Sequence, residues 1–130
     1  MKRLLFLVFL IYFTSSSFAQ NAVSSYGKFP LPYETVEIKP EFDGGYIGFV
    51  KYIAANFVLP EVESLSGAVK VSFIIDTDGK IGNIQVLSDL GEGTGEEAIR
   101  VLKSCPLWSP GMQDGAKVNV VMKMPINLKI

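Results

Sequence analysis

The sequence predicts an α+β domain: a three-stranded antiparallel sheet with two helices packed on one face. Three observations carry this expectation. Apolar residues recur at three- and four-residue spacing in two stretches, Tyr46 to Phe57 and Ala98 to Cys105. They alternate in three others, Gly67 to Asp76, Ile81 to Ser88 and Lys117 to Ile130. The order is helix, strand, strand, helix, strand, in a 130-residue chain long enough for one core and too short for two.

The first helix is expected from an N-cap at Asp43 through Phe57, with Tyr46, Phe49, Val50, Ile53, Ala54 and Phe57 as its buried stripe. Gly44, Gly45 and Gly48 weaken its start, and Leu59-Pro60 ends it. In the next run Val69, Val71, Phe73 and Ile75 form one apolar face, which suits the central strand. "DTDG" (Asp76 to Gly79) turns the chain into the returning strand, Ile81 to Ser88. Thr94 and Glu97 have capping-box spacing at the start of the second helix, whose buried stripe is Ala98, Val101, Leu102 and Cys105. The last run, Lys117 to Ile130, is the clearest strand. Before all of these, residues 20–38 carry Ser24, Ser25, Gly27, Pro30 and Pro32 and read as a flexible lead-in, within which "TVEIK" (Thr35 to Lys39) alternates as a short strand would.

Composition excludes several functions. Twelve basic residues against thirteen acidic ones give a net charge of −1, so no basic field draws the chain to nucleic acid. The absence of histidine removes the commonest general base and most zinc sites. The single Cys105 has no charged neighbour to activate it and reads as a small buried hydrophobe. Asp76 and Asp78 share part of a calcium loop's spacing, but Gly79 falls in the fourth loop position and no glutamate stands in the twelfth. The acidic clusters sit on a turn (Asp76, Asp78) and at a helix start (Glu96, Glu97), and neither forms a carboxylate pair for acid-base chemistry. An enzyme, a metal, a cofactor and a small-molecule substrate are therefore not expected.

Residues 1–19 read as a cleavable signal peptide. Lys2 and Arg3 precede an apolar run from Leu4 to Phe13, and Ser17 and Ala19 are the small residues a signal peptidase requires before Gln20. That run is about half of the ~20 residues a membrane span needs, although an uncleaved inner-membrane anchor is the alternative. Residues 39–130, the expected folded domain, are therefore expected to be exported.

Trp108, the chain's only tryptophan, stands between Pro106 and Pro110 in "CPLWSPGMQDG". Pro106 ends the second helix, and Pro110-Gly111 turns the chain back to the sheet. Trp108 is thus expected at a structural corner, plugging the end of the core.

These stretches carry a resemblance. "CPLWSPGMQDGAKVNVVMKMPINLKI" resembles the closing segment of the TonB C-terminal domain family, and "VKVSFIIDTDGKIGNIQVL" is similar to its hairpin. "KPEFDGGYIGFVKYIAANFVLPE" is similar to the lead-in and first helix of Bacteroidetes-type members. The resemblance covers roughly residues 37 to 130. It implies a non-enzymatic module that binds outer-membrane transport receptors, with a receptor segment adding as a strand beside the sheet in TonB-dependent energy transduction. The cleavable signal, the missing Pro-rich spacer and the lack of a membrane-segment histidine depart from a full transducer. A structural or adaptor role, binding another envelope protein or peptidoglycan, is the competing expectation.

Proline has no N–H to give a ladder, so Pro125 should face away from the central strand. Val118, Val120, Met122 and Met124 would then bond that strand, leaving Asn119, Val121 and Lys123 with unpaired groups along a partner-binding edge.

Overall fold

The computed structural model describes residues 29–130, and the expected signal peptide lies outside the described residues. The elements are β1 (Leu31–Pro32), α1 (Gly45–Asn56), β2 (Ser66–Ile75), β3 (Ile81–Ser88), α2 (Thr94–Lys103), β4 (Gly111–Gln113), β5 (Ala116–Val118) and β6 (Val120–Lys129). The main sheet runs β1-β6-β2-β3, with β2 central and antiparallel to both β6 and β3. One core holds Val69, Val71, Phe73 and Ile75 of β2, Val120, Met122, Ile126 and Leu128 of β6, Phe49 and Ile53 of α1, and Ala98, Val101 and Leu102 of α2. Both helices therefore cover the same sheet face, and Lys70, Lys123 and Lys129 lie exposed on the other.

The α+β class is as expected, and the sheet differs in one respect. It has four strands and is mixed, because Leu31–Pro32 adds beside β6 in parallel, with Leu31 opposite Val120 and Pro32 opposite Val121. The expected lead-in is thus seated on the domain from Leu31 onward, and its Val36 is buried in the core. Of "TVEIK", only Ile38 pairs, as a single bridge to Met112.

The last alternating run is also divided. β5 pairs with β4 as a separate ribbon in which Gln113 stands opposite Ala116. The two residues between are Asp114 and Gly115, both at positive φ (51° and 77°), as a tight primed hairpin turn requires. Val118 consequently pairs with Gly111, and pairing to the central strand begins at Val120 opposite Ile75. The expected bond from Val118 to the central strand is corrected.

Neither helix is capped as the sequence suggested. Gly44, left-handed at φ 82°, precedes α1 where Asp43 was expected. Gly93 precedes α2, and Thr94 lies inside it, its hydroxyl donating to the Gly91 carbonyl (2.7 Å) and accepting from the Leu90 N–H (3.2 Å). The Thr94 hydroxyl thus fastens the loop before the helix, and no capping box forms. The expected caps Asp43 and Thr94 lose here to Gly44 and Gly93, whose positive φ lets the chain enter each helix from a sharp turn.

Candidate functional site

The outer edge of β6 is set by its register. β2 and β6 pair without a break from Ser66 opposite Lys129 to Ile75 opposite Val120. Backbone groups alternate in direction along a strand, and the carbonyls of Asn119 and Val121 face away from β2, accepting from the N–H groups of Leu31 (2.8 Å) and Tyr33 (3.2 Å). Lys123, Pro125, Asn127 and Lys129 follow at the same outward phase. Pro125 therefore costs no bond to the central strand.

The sequence-predicted edge residues are thus brought to one edge but differ in state. The expectation that Asn119 and Val121 have unpaired outward groups is corrected: the chain's own β1 bonds them. The Asn119 side chain is also engaged, its Oδ1 accepting from the Thr77 N–H at 3.1 Å. Lys123 lies just beyond β1, which stops at a turn where the Thr35 N–H and hydroxyl both donate to the Pro32 carbonyl (3.1 and 3.0 Å). Lys39 holds that turn, its Nζ donating to the Tyr33 carbonyl at 2.8 Å and lying over the Tyr33 ring at 4.7 Å. The Pro-Leu-Pro-Tyr spacing was a readable signal for β1. Leu31 and Tyr33 turn their donors toward β6, and the intervening Pro32 faces out with none, which blunts the outer edge of β1 itself and leaves the outer side of β6 from Lys123 onward uncovered by any described strand.

Beside this edge, α1 leaves its apolar stripe half covered. Phe49 and Ile53 are buried, whereas Tyr46 is 67% exposed and Val50 46%. The uncovered residues wall a groove whose floor is β6. One hollow, of about 300 Å³, lies between Tyr46, Val50, Phe57 and Leu59 of the α1 side and Ile126 and Leu128. A second, of about 400 Å³, lies between Tyr33, Lys39, Phe42 and Tyr46 and the Met122–Met124 stretch. Tyr46 and Phe49 line both. The expectation that the whole stripe is buried missed this, because helical spacing marks an apolar face without saying what covers it.

Pro106, Trp108, Pro110 and Gly111 lie together after α2, and of the four Trp108 lines the second hollow. Trp108 is 6% exposed, with its ring 5.5 Å from Phe42, 5.2 Å from Phe49 and 6.0 Å from Phe73. Its Nε1–H donates to the Cys105 sulfur at 3.4 Å. Burial pushes the Cys105 thiol pKa up, and this hydrogen bond only partly opposes it, so the thiol is poorly suited to act as a nucleophile. Ser109 pairs with Glu41, and a Cβ on Gly111 would meet the Val120 side chain at 2.6 Å.

α1 is held in place by α2. Tyr52 donates its hydroxyl to the Val101 carbonyl at 2.8 Å, and burial raises its pKa. Arg100 Nη2 donates to the Asn56 carbonyl at 2.7 Å, and Glu97 accepts from the Val58 N–H at 3.2 Å. Arg100 and Glu97 are bonded to each other, Nε to Oε1 at 2.9 Å, and this bond holds the Glu97 carboxyl below its ordinary pKa. Glu97, read from the sequence as a capping residue, instead closes the exit of the neighbouring helix.

Among the described residues, no cluster of acidic and cysteine side chains is arranged to hold a metal ion, and no helix is long and apolar enough to cross a membrane. A small α+β domain with a sheet edge open over a helix-walled groove is built as a protein-interaction module. The sequence model of the family described as Gram-negative bacterial TonB protein C-terminal matches residues 62–130, just over half of the chain, and the chain belongs to that family. The family is one of non-catalytic interaction domains of the bacterial envelope. The α1 wall of the groove lies before the matched residues. No curated protein matches the chain.

Proposed function

We propose that this domain is a periplasmic peptide-binding module that engages outer-membrane transport receptors by strand addition at the outer edge of β6, within or accessory to TonB-dependent energy transduction. One observation carries this reading: the chain's own Leu31–Pro32 is added there as a parallel strand, bonded to the carbonyls of Asn119 and Val121 through Leu31 and Tyr33. An edge that accepts one short segment has the geometry to accept another. The partner either displaces β1 from Asn119 and Val121 or pairs beyond it, from Lys123 onward. A few backbone bonds of about 0.5–1.5 kcal/mol each give modest affinity, roughly millimolar to micromolar.

Titration with a receptor N-terminal peptide, recording amide shifts, tests the proposal. Shifts at Val121, Lys123 and Asn127 are expected, with Leu31 and Tyr33 moving as well where β1 is displaced. Shifts confined to α2 and β3 would refute docking at this edge.

A further inference from the structure

The groove has two chemically different sides, and together they describe what an added strand must carry. A segment continuing past Tyr33 in the direction and register of β1 would lie beside β6 from Lys123 to Lys129, on the side opposite β2, where no described strand pairs with it. Its side chains would alternate. Those opposite Met124, Ile126 and Leu128 would face α1 and enter the groove past Tyr46, whereas those between would face the open side of the sheet.

β1 already shows this alternation at its own place on the edge. Leu31 and Tyr33 pack against the core while Pro32 is exposed. The inward side chains opposite Ile126 and Leu128 therefore meet apolar surface, Tyr46, Val50 and Phe57, whereas the hollow beside Met124 adds the charged Lys39 and Glu41 to its aromatic lining. The outward side chains meet a basic face. β2 and β6 carry Lys70, Lys123 and Lys129, all exposed, and not one acidic residue.

We propose, building on strand addition at β6, that the groove selects an extended segment with large apolar residues at alternate positions and acidic residues between them. Apolar residues fill the hollow between Tyr46 and Leu128, and carboxylates pair across the strand with Lys123 and Lys129. Opposite charges on neighbouring strands attract and like charges repel, so the lysines discriminate among segments that all make the same backbone bonds.

Three blocked peptides of about eight residues, long enough to span Lys123 to Lys129, test this. One alternates leucine with aspartate, one leucine with lysine, and one has the first peptide's composition with all leucines preceding all aspartates. The full chain is titrated with each while amide shifts are recorded. The leucine–aspartate peptide is expected to bind about tenfold more tightly than the leucine–lysine one, and more tightly than the block peptide. The double variant Lys123→Glu, Lys129→Glu, at exposed positions, should reverse the charge preference, and Tyr46→Ser should weaken the alternating peptides and leave the block peptide unchanged. Equal affinity for both charges, with shifts at Lys123 and Asn127, would overturn the selectivity and leave strand addition standing. No shift along β6 with any peptide, together with none from a receptor peptide, would overturn strand addition itself.

Discussion

The Trp108 backbone N–H donates to the Gly79 carbonyl at 2.8 Å, which ties the corner after α2 to the turn between β2 and β3. Gly79 has φ 84°, and a Cβ placed on it would stand 1.9 Å from the Trp108 carbonyl oxygen. Both backbones are pinned elsewhere: in the turn the Asp76 carboxylate accepts from the backbone N–H groups of Asp78 and Lys80 (2.8 and 3.0 Å), and next to Trp108 the backbones of Ser109 and Glu41 exchange two bonds (2.8 and 3.0 Å). Gly79→Ala should therefore lose at least about 2 kcal/mol, through strain at positive φ and separation of the two segments. Urea unfolding would show it as a lower midpoint at unchanged slope.

Trp108→Ala should cost more, about 3–5 kcal/mol, the range for emptying a buried aromatic site. Three ring contacts and the bond to Cys105 are lost together. A loss below about 1 kcal/mol would mean that the ring carries little of the core's stability.

Glu97 gives the stability a pH dependence whose sign is set by Arg100. Its carboxyl is held below the ordinary value in the folded chain. A group depressed in this way contributes stability that is fully present above its unfolded pKa, about 4.3, and is lost as pH falls through the folded value. Glu97→Gln should lower stability slightly near neutrality, by a small amount because the pair is partly solvated, and the difference from the unsubstituted chain should vanish on acidification as Glu97 itself becomes protonated, so that the variant's stability falls less steeply below about pH 4.3. Unfolding midpoints measured across that range would check it.

On the proposed function, β1 would compete for the edge it occupies. Leu31→Ser removes an apolar side chain packed on the core and weakens a strand held through two carbonyls, those of Asn119 and Val121. A receptor peptide that needs those carbonyls should bind about two- to tenfold more tightly to this variant, since each bond is worth about 0.5–1.5 kcal/mol. Unchanged affinity in an isothermal titration would place the docking site wholly beyond β1, from Lys123 onward.

The buried thiol supplies a further check. Cys105 should be alkylated more slowly than a free cysteine at pH 8, because burial raises its pKa and the thiolate is the reactive form. Labelling at the rate of an unfolded control would contradict that burial.

The pattern of residues was enough to determine the class of fold and the central place of β2. Val69, Val71, Phe73 and Ile75 can all be buried only if helices cover one face, and two amphipathic stretches were there to do it. The outward phase of Pro125 was legible too, because a missing N–H is a property of the residue alone. Other features depended on which distant segments meet. The Asp114-Gly115 turn was in plain view as a hairpin signal, yet it was the meeting of Gly111–Gln113 with Ala116–Val118 that divided the last run. Glu97 left a cap for a neighbouring helix's exit because Arg100 and Val58 converge on it. The groove belongs wholly to this second kind. Periodicity marked Tyr46 and Val50 as apolar, and only the placement of α1 against β6 decided that they would line an open surface beside an edge that β1 fills in part, because burial is a relation between segments and no residue carries it alone.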